Sequence, residues 1–504
     1  MLEYVSLILS LFFLAYCIRL IIFVQKSYLH HIKSSQAKRR SLESTFHELS
    51  DNTKIDHSAT HNKPLAVFDD STKQMLEPTF PPQFNNHKNN ETLVTLNATE
   101  SHVSSQHPGY DYHPVISLIV ATRNEESVIS DLLRSLDRLT YDRTRFEIIV
   151  VDDSNDSTYG ILQDWQKRIE NLRVIKRAGN TGWKGGALNL GLEYLRKDSS
   201  WVIIIDADTI LPPKLIEEFL ARLLSSNQTF NAIQGYCIPC NNDFCHRDSS
   251  NWISKGVELR LAQRNLIEFV ARDELNIPLQ ITGSLFMIKS SIIKEIGFST
   301  DLCEDWDLTL QLYTREFDKI NLTTAKHTTN FLSKVNIRFD EKLNASSQTP
   351  TSLPSYFKQR LRVSEGHTRA FVKMLYRILL SKQPLKNKVE LFLTGLRYFK
   401  YVFLPLLLLL DIYSLATPSG SFNMTSAGSL SVQIFCLTSI IMVNIIAMLV
   451  IKKEKQYDFT FLFSKLLLDV CVLPALIIGS LLGVLRSKGT FYKTERIAGF
   501  EISI

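Results

Sequence analysis

Cysteine is scarce in this chain: the 504 residues hold seven, an odd number, and Cys17, Cys436 and Cys471 lie inside long apolar blocks. That argues against a disulfide framework as the basis of the fold. Cys237, Cys240, Cys245 and His246 stand at short spacing, but without the second well-separated pair of a tetrahedral zinc site they read as loop residues. An excess of one charge is also missing. The 57 Lys and Arg against 51 Asp and Glu leave +6, and no nucleic-acid partner is expected. No internal repeat is found.

Nothing basic precedes the first apolar block, residues 2–24, and no small-residue cleavage site follows it, which argues against a removed signal peptide. The block is about as long as a bilayer core requires, with Arg19 in its interior. Lys26, Lys33, Lys38, Arg39 and Arg40 follow it, so the positive-inside rule puts the downstream chain in the cytoplasm. Residues 26–112 are rich in Ser, Asn, His, Thr and Lys and read as a disordered cytoplasmic tether. The sequons at Asn90 and Asn97 then never meet a glycosylation machinery. Three further apolar blocks, 401–416, 430–451 and 459–485, predict a C-terminal membrane region at 396–486 with three or four spans. Within the last, Lys465, Asp469 and Pro474 leave two alternatives, one span or a broken, re-entrant segment.

Between these lies a different texture. Residues 115–121, 147–151, 173–176 and 201–205 are short β-branched runs, separated by helical spacing at 125–139, up to Ile169, and at 187–195. Such alternation predicts an α/β domain over 113–350, with a mainly parallel sheet covered on both faces. Ligands then sit at the carboxyl ends of the strands, where Thr122, Asn124, Asp152, Asp153, Asp206 and Asp208 stand.

Asp206-Ala207-Asp208 brings two carboxylates out together after a buried strand. Hard oxygen ligands at that spacing suit magnesium or manganese bridging to a diphosphate, and the alternative is a capping loop before Pro212. Lys184-Gly185-Gly186-Ala187-Leu188-Asn189 places a cation at the mouth of a helix, suited to a phosphate, or else forms only a tight turn. Thr282-Gly283-Ser284 precedes an apolar run, and Glu304-Asp305-Trp306 opens a helix, where a carboxylate is either a cap or a general base.

This ordered set, completed by Gln359-Arg360-Leu361-Arg362, resembles family 2 glycosyltransferases with a GT-A fold, over residues 114–366. The nearest likeness is the membrane-embedded branch of cellulose, mannan and hyaluronan synthases. The resemblance implies a GT-A domain inserted between transmembrane helices and a UDP- or GDP-linked sugar as donor. Thr122, Asn124, Asp153, Lys184 and Asp206 would bind that donor, Asp208 with Asp206 the Mg²⁺ or Mn²⁺, and Gln359, Arg360 and Arg362 the departing diphosphate. Asp305, beside Glu304, would be the base of an inverting displacement, with Thr282, Gly283, Ser284 and Trp306 at the acceptor. Two positions depart from the pattern: Cys303 replaces a Thr, and Val363 replaces the Trp on which an acceptor sugar stacks. Residues 351–395 would carry the Q-x-x-R motif and interfacial helices. Phe491-Tyr492-Lys493-Thr494-Glu495-Arg496, within a cytoplasmic tail at 487–504, resembles the F-x-x-T-x-K/R segment of some synthases.

The expected function is therefore hexosyl transfer to a growing β-linked polysaccharide with export, by a multi-pass cell-membrane protein whose catalytic domain is cytoplasmic. Membrane lipids and further subunits are the expected partners. Alternatives are single transfer to a lipid or glycan acceptor, and a non-catalytic membrane scaffold. A scaffold has no chemical need for Asp206, Asp208 and Asp305, and a soluble nucleotidyltransferase none for Gln359, Arg362 or the apolar blocks.

Overall fold

The computed structural model describes residues 2–52, 113–179, 181–225, 230–239, 251–315, 336–416, 438–451, 457–486 and 489. Cys240, Cys245, His246, both sequons and the Phe491–Arg496 segment lie outside them. Two compact units are distinguished, residues 1–34 with 113–504, and residues 35–112. Everything below concerns the first, apart from the end of the first helix.

The predicted strands form where their apolar runs lie. They are β1 (Val115–Thr122), β2 (Phe146–Asp152), β3 (Leu172–Lys176) and β4 (Ser199–Asp206), joined by β5 (Thr209–Ile210), β6 (Ala232–Pro239), β7 (Phe286–Lys289) and β8 (Ile337–Ser347). The sheet runs in the order β3-β2-β1-β4-β7-β6-β8-β5. Its first four strands are parallel. The remainder is mixed rather than parallel, because β7 runs antiparallel between β4 and β6.

Period-two alternation decides which layer each side chain joins. Ile116, Leu118, Val120, Ile148 and Val150 point to one side, into a core with Ile129, Leu132, Leu162 and Phe219. Ile119, Ile149, Val151, Val202 and Ile204 point to the other, into a core with Leu188, Leu266, Trp306 and Leu310. The first side is covered by α2 (Ile129–Asp137), α3 (Thr158–Gln166) and α5 (Leu215–Ser225). On the second lie α4 (Trp183–Glu193), α6 (Trp252–Ala262) with its π-helical extension Gln263–Phe269, α7 (Val270–Glu274), α8 (Ser290–Ile296) and α9 (Glu304–Thr314).

The helices outside this domain differ from expectation. The first, α1, runs unbroken from Leu2 to Asn52, so a non-helical tether does not begin at residue 26. Residues 25–52 contain neither Gly nor Pro, and nothing local stops the helix. Ser27 bonds the Leu266 carbonyl (2.6 Å) and His30 meets Glu274 (2.7 Å), which seats residues 27–30 against the π-helical segment and α7. Helix α10 (Leu353–Leu380) covers the segment read as interfacial, yet residues 364–371 are buried on every side, and only Val372, Tyr376, Leu379 and Leu380 near its end are apolar and exposed.

Further on come α11 (Leu385–Gly395), a 3₁₀ turn Leu396–Tyr398, α12 (Phe399–Ala416), α13 (Thr438–Ile451), α14 (Phe459–Cys471) and α15 (Leu473–Leu485). Among the described residues one helix is long and apolar enough to cross a membrane, through Leu9–Ala37 of α1, and α14 with α15 would make a second if the bent pair is one span. The expected multi-pass arrangement of three or four C-terminal spans is thus not supported. The last apolar block is broken, with a 46° bend between α14 and α15. Pro474 in the first turn of α15 is the cause, since it lacks an N–H and crowds the turn before it.

Candidate active site

A cavity of about 640 Å³ opens at the carboxyl ends of β1, β2 and β4 and extends past α9 and α10 to α1, α13 and α14. Thr122, Asp153, Lys184, Asp206, Thr282, Gly283, Glu304, Asp305, Gln359, Arg360 and Arg362 all line it. Residues far apart in sequence converge there because strand ends and helix starts meet on one edge of the sheet.

Lys184 is the electrostatic centre of one end. Its ammonium is 2.5 Å from Asp206 Oδ1, 2.7 Å from the Gly283 carbonyl and 3.3 Å from Glu304 Oε1. Burial opposes that charge, but the carboxylates of Asp206, Glu304 and Asp305 outweigh it and raise the lysine pKa. The neighbouring glycines serve close packing: a Cβ on Gly185 would overlap the Ser299 carbonyl oxygen, so α4 could not sit low enough to deliver Lys184.

Asp305 stands in the first turn of α9, its Oδ1 accepting the Trp306 N–H at 2.7 Å. Burial, and then the adjacent Glu304, push its carboxyl up to about 6, against the pull of Lys184. Burial beside these carboxylates also raises the Cys303 thiol, which the field of Arg362 partly relieves. Arg362 therefore belongs to the same end as Asp305.

Other expected residues work one step back. Thr122 bonds Asp152 (2.8 Å), a buried carboxylate also held by Ser154 and Lys176. Arg177 clasps both oxygens of Asp153. Asn124, at φ 56°, braces the loop by accepting the Asn155 N–H (2.9 Å) and lies off the cavity wall. Ser284 accepts the Asp206 N–H (2.9 Å) and is buried. Trp306, expected at the acceptor, is only 1% exposed and stacks in parallel on His367, with ring centroids 4.7 Å apart. Its hydrophobic bulk completes the core beneath α9, and it presents no face to a ligand.

Asp206 faces the cavity, whereas Asp208 is buried off its wall and accepts from Ser347 (3.1 Å). Both raise the Cys237 thiol, to about 12, after burial as the main cause. Among the described residues no group of three or more His, Cys, Asp or Glu side chains is placed to hold a metal ion. Two carboxylates with only oxygen donors fit a hard divalent ion that takes its remaining ligands from diphosphate and water.

Sequence reasoning missed Arg177, Gln234, Glu268, Arg264, Arg397 and His367. Arg177 directly follows β3, so the strand-end rule applied there would have found it. Gln234, whose Oε1 accepts the Thr282 N–H (2.9 Å), sits inside a strand and gave no signal.

Residues 117–297 match the family model described as Glycosyl transferase family 2. The match covers about a third of the chain and supports a family 2 glycosyltransferase domain over those residues. At the level of that domain the expectation of a hexosyltransferase is met. A probable glycosyltransferase of Bacillus subtilis is 25% identical over 295 residues, 58% of this chain and 64% of that protein. A beta-monoglucosyldiacylglycerol synthase of Synechocystis is 37% identical over 124 residues, 24% of this chain and 25% of that protein. The matched stretches span less than two thirds of these relatives' own length. A mannosyltransferase from Pyrobaculum calidifontis, solved with GDP-Man and Mn²⁺, superposes with a TM-score of 0.48 at 17% identity, covering 74% of this chain and 88% of that one.

Proposed function

We propose that this protein transfers a sugar from a UDP- or GDP-linked donor, with inversion, to a glycan or lipid acceptor presented at a membrane surface. The observation that supports it is Asp305: a half-buried carboxylate on the cavity wall, its pKa raised to about 6, sharing that wall with Lys184, Asp206 and Arg362.

In this reading Asp153 and Asp206 hold the nucleotide, with Arg177 fixing the Asp153 carboxylate. Asp206 and Asp208 hold the divalent ion, whose contribution when bound is to neutralise diphosphate charge. Asp305 takes the proton from the acceptor hydroxyl as its oxygen attacks the anomeric carbon from the face opposite the nucleotide. The bond to the diphosphate breaks, and Lys184 and Arg362 stabilise the charge that develops there. Gln359 and the Thr282-Gly283 turn shape the space between donor and acceptor. The catalytic domain is cytoplasmic, following the basic residues after the first apolar stretch of α1.

Growth of a polysaccharide is the second reading, favoured by the length of the cavity, which continues past Asp305 to Asn444, Lys465 and Asp469. Product analysis tests both, with full-length protein in nanodiscs, Mg²⁺ or Mn²⁺ and a panel of labelled nucleotide sugars. A labelled lipid or short product supports single transfer. High-molecular-weight, glycosidase-sensitive material supports polymer growth, and failure with every donor would return weight to a scaffold.

A further inference from the structure

Beyond Asp305 the cavity enters a second, cationic arm. Arg264, Arg360, His367 and Arg397 line it, with Glu268 as their neighbouring carboxylate. That carboxylate is already engaged, by Arg397 at 2.7 Å and Arg272 at 3.0 Å, while Glu390 takes Arg272 at 2.7 Å and Arg19 at 2.5 Å. Two carboxylates thus hold three arginines. Arg264 is left with the Asn265 side-chain oxygen at 3.2 Å and the face of Phe269, and Arg360 with the Tyr398 hydroxyl at 3.0 Å. Neither makes an ion pair among the described residues.

Several polar atoms here are buried without a partner: Nε of Arg360, and both ring nitrogens of His367, a residue only 2% exposed. An orphaned buried donor is costly, and so is an uncompensated buried charge. Burial and the fields of Arg397 and Arg360 also hold His367 neutral, its pKa well below the usual value. The arrangement is complementary to an anion with several acceptor oxygens, which guanidinium groups bind in a fork.

The surroundings identify what carries that anion. On the same cavity wall stand Leu20, Phe23 and Val24 of α1 and Val443 and Ala447 of α13, all apolar. The outer face of α1 exposes Leu11, Ile18 and Ile21 along the stretch able to cross a membrane. A cationic pocket beside an apolar, membrane-side wall suits an amphiphile whose anionic head enters the protein. The donor end is electrostatically distinct, organised around Lys184 with Asp206, Glu304 and Asp305.

We propose that this arm binds the phosphate of a lipid-borne acceptor, held by Arg264, Arg360, Arg397 and His367. The inference rests on the transfer reading above and names its acceptor class. It also moves Arg360 from the donor to the acceptor side of the site.

The test uses full-length protein in phosphatidylcholine nanodiscs and a fluorescent long-chain isoprenyl monophosphate as probe. Saturable binding is expected, displaced by unlabelled monophosphate and not by the phosphate-free isoprenyl alcohol. Arg264→Gln should weaken binding by roughly tenfold or more, as loss of a charge-assisted contact implies, and should raise the acceptor KM while the donor KM stays within about twofold. Arg264→Lys, keeping the charge, should recover part of the loss, and a thermal melt separates that result from misfolding. Displacement by the alcohol as strongly as by the monophosphate, displacement by inorganic phosphate at the same concentration, or unchanged binding in Arg264→Gln would each overturn the proposal. Phosphate-dependent binding with no sugar transfer from any donor would sink the transfer reading and leave the anion site standing. Transfer to phosphate-free acceptors that is insensitive to Arg264→Gln would do the reverse.

Discussion

Asp305 and Lys184 set opposite demands on one another, and kinetics can read both. As the proposed base Asp305 would act only when deprotonated, and burial with Glu304 has raised it to about 6, so kcat/KM should fall as pH drops through that value. Below it, the decline should approach about tenfold per pH unit, as for any single essential base. Asp305→Asn should lower transfer by about 10²–10⁴-fold, the usual weight of general base catalysis, while calorimetry still detects nucleotide binding. A variant with near-normal turnover, or one with the acid limb intact, would remove Asp305 from the role. Lys184 lowers the Asp305 pKa through its charge, so Lys184→Met should displace the acid limb to higher pH in addition to weakening donor binding. An unmoved limb would mean that the two groups do not share a field.

At the scale of elements, the decisive packing is α15 against α10. A Cβ on Gly479 would overlap the Ser364 hydroxyl and lie 2.6 Å from the Leu361 carbonyl oxygen. Gly479→Val should therefore destabilise by about 1–3 kcal/mol, the cost of overpacking, seen as a lower Tm. Gly160 in α3 has nothing within 4 Å of its Cβ position, so Gly160→Ala should instead stabilise by about 0.5–1 kcal/mol. Equal responses at the two sites would show that α15 does not pack on α10 as described. This contact also marks where the sequence stopped being legible. The α/β alternation through Asp206 could be read because buried strands carry a local signature, and Lys184, Asp206 and Asp305 followed from strand ends and helix starts. Helix α10 has amphipathic spacing, and that spacing together with the resemblance to membrane synthases assigned it to a membrane surface. Residues 364–371 are buried by α15, more than a hundred positions away, and by Leu302, Cys303 and Trp306 at the start of α9, and no local pattern encodes either partner. Trp306 was misplaced for the same reason, since its neighbour His367 comes from that helix.

For the molecule as a whole, α1 carries the stretch able to cross a membrane and also lines the cavity, and an anchoring role and a site role predict different outcomes on truncation. An anchor alone can be removed to leave a soluble, active enzyme. Here Tyr16, Leu20, Phe23 and Val24 line the cavity, and Arg19 is buried against Glu390 and its network with Arg272. Removing residues 1–34 would leave Glu390 without one cation and open an apolar wall to water. Breaking such a buried pair typically costs about 3–5 kcal/mol. The truncated protein should accordingly lose transfer activity even when reconstituted with donor, metal and acceptor in detergent, and its Tm should fall. Arg19→Met should reproduce the fall in Tm without removing the helix, because Glu390 then faces Arg272 and Glu268 with one positive charge fewer. A soluble truncated protein with full turnover would reduce α1 to a tether and separate the cationic arm from catalysis.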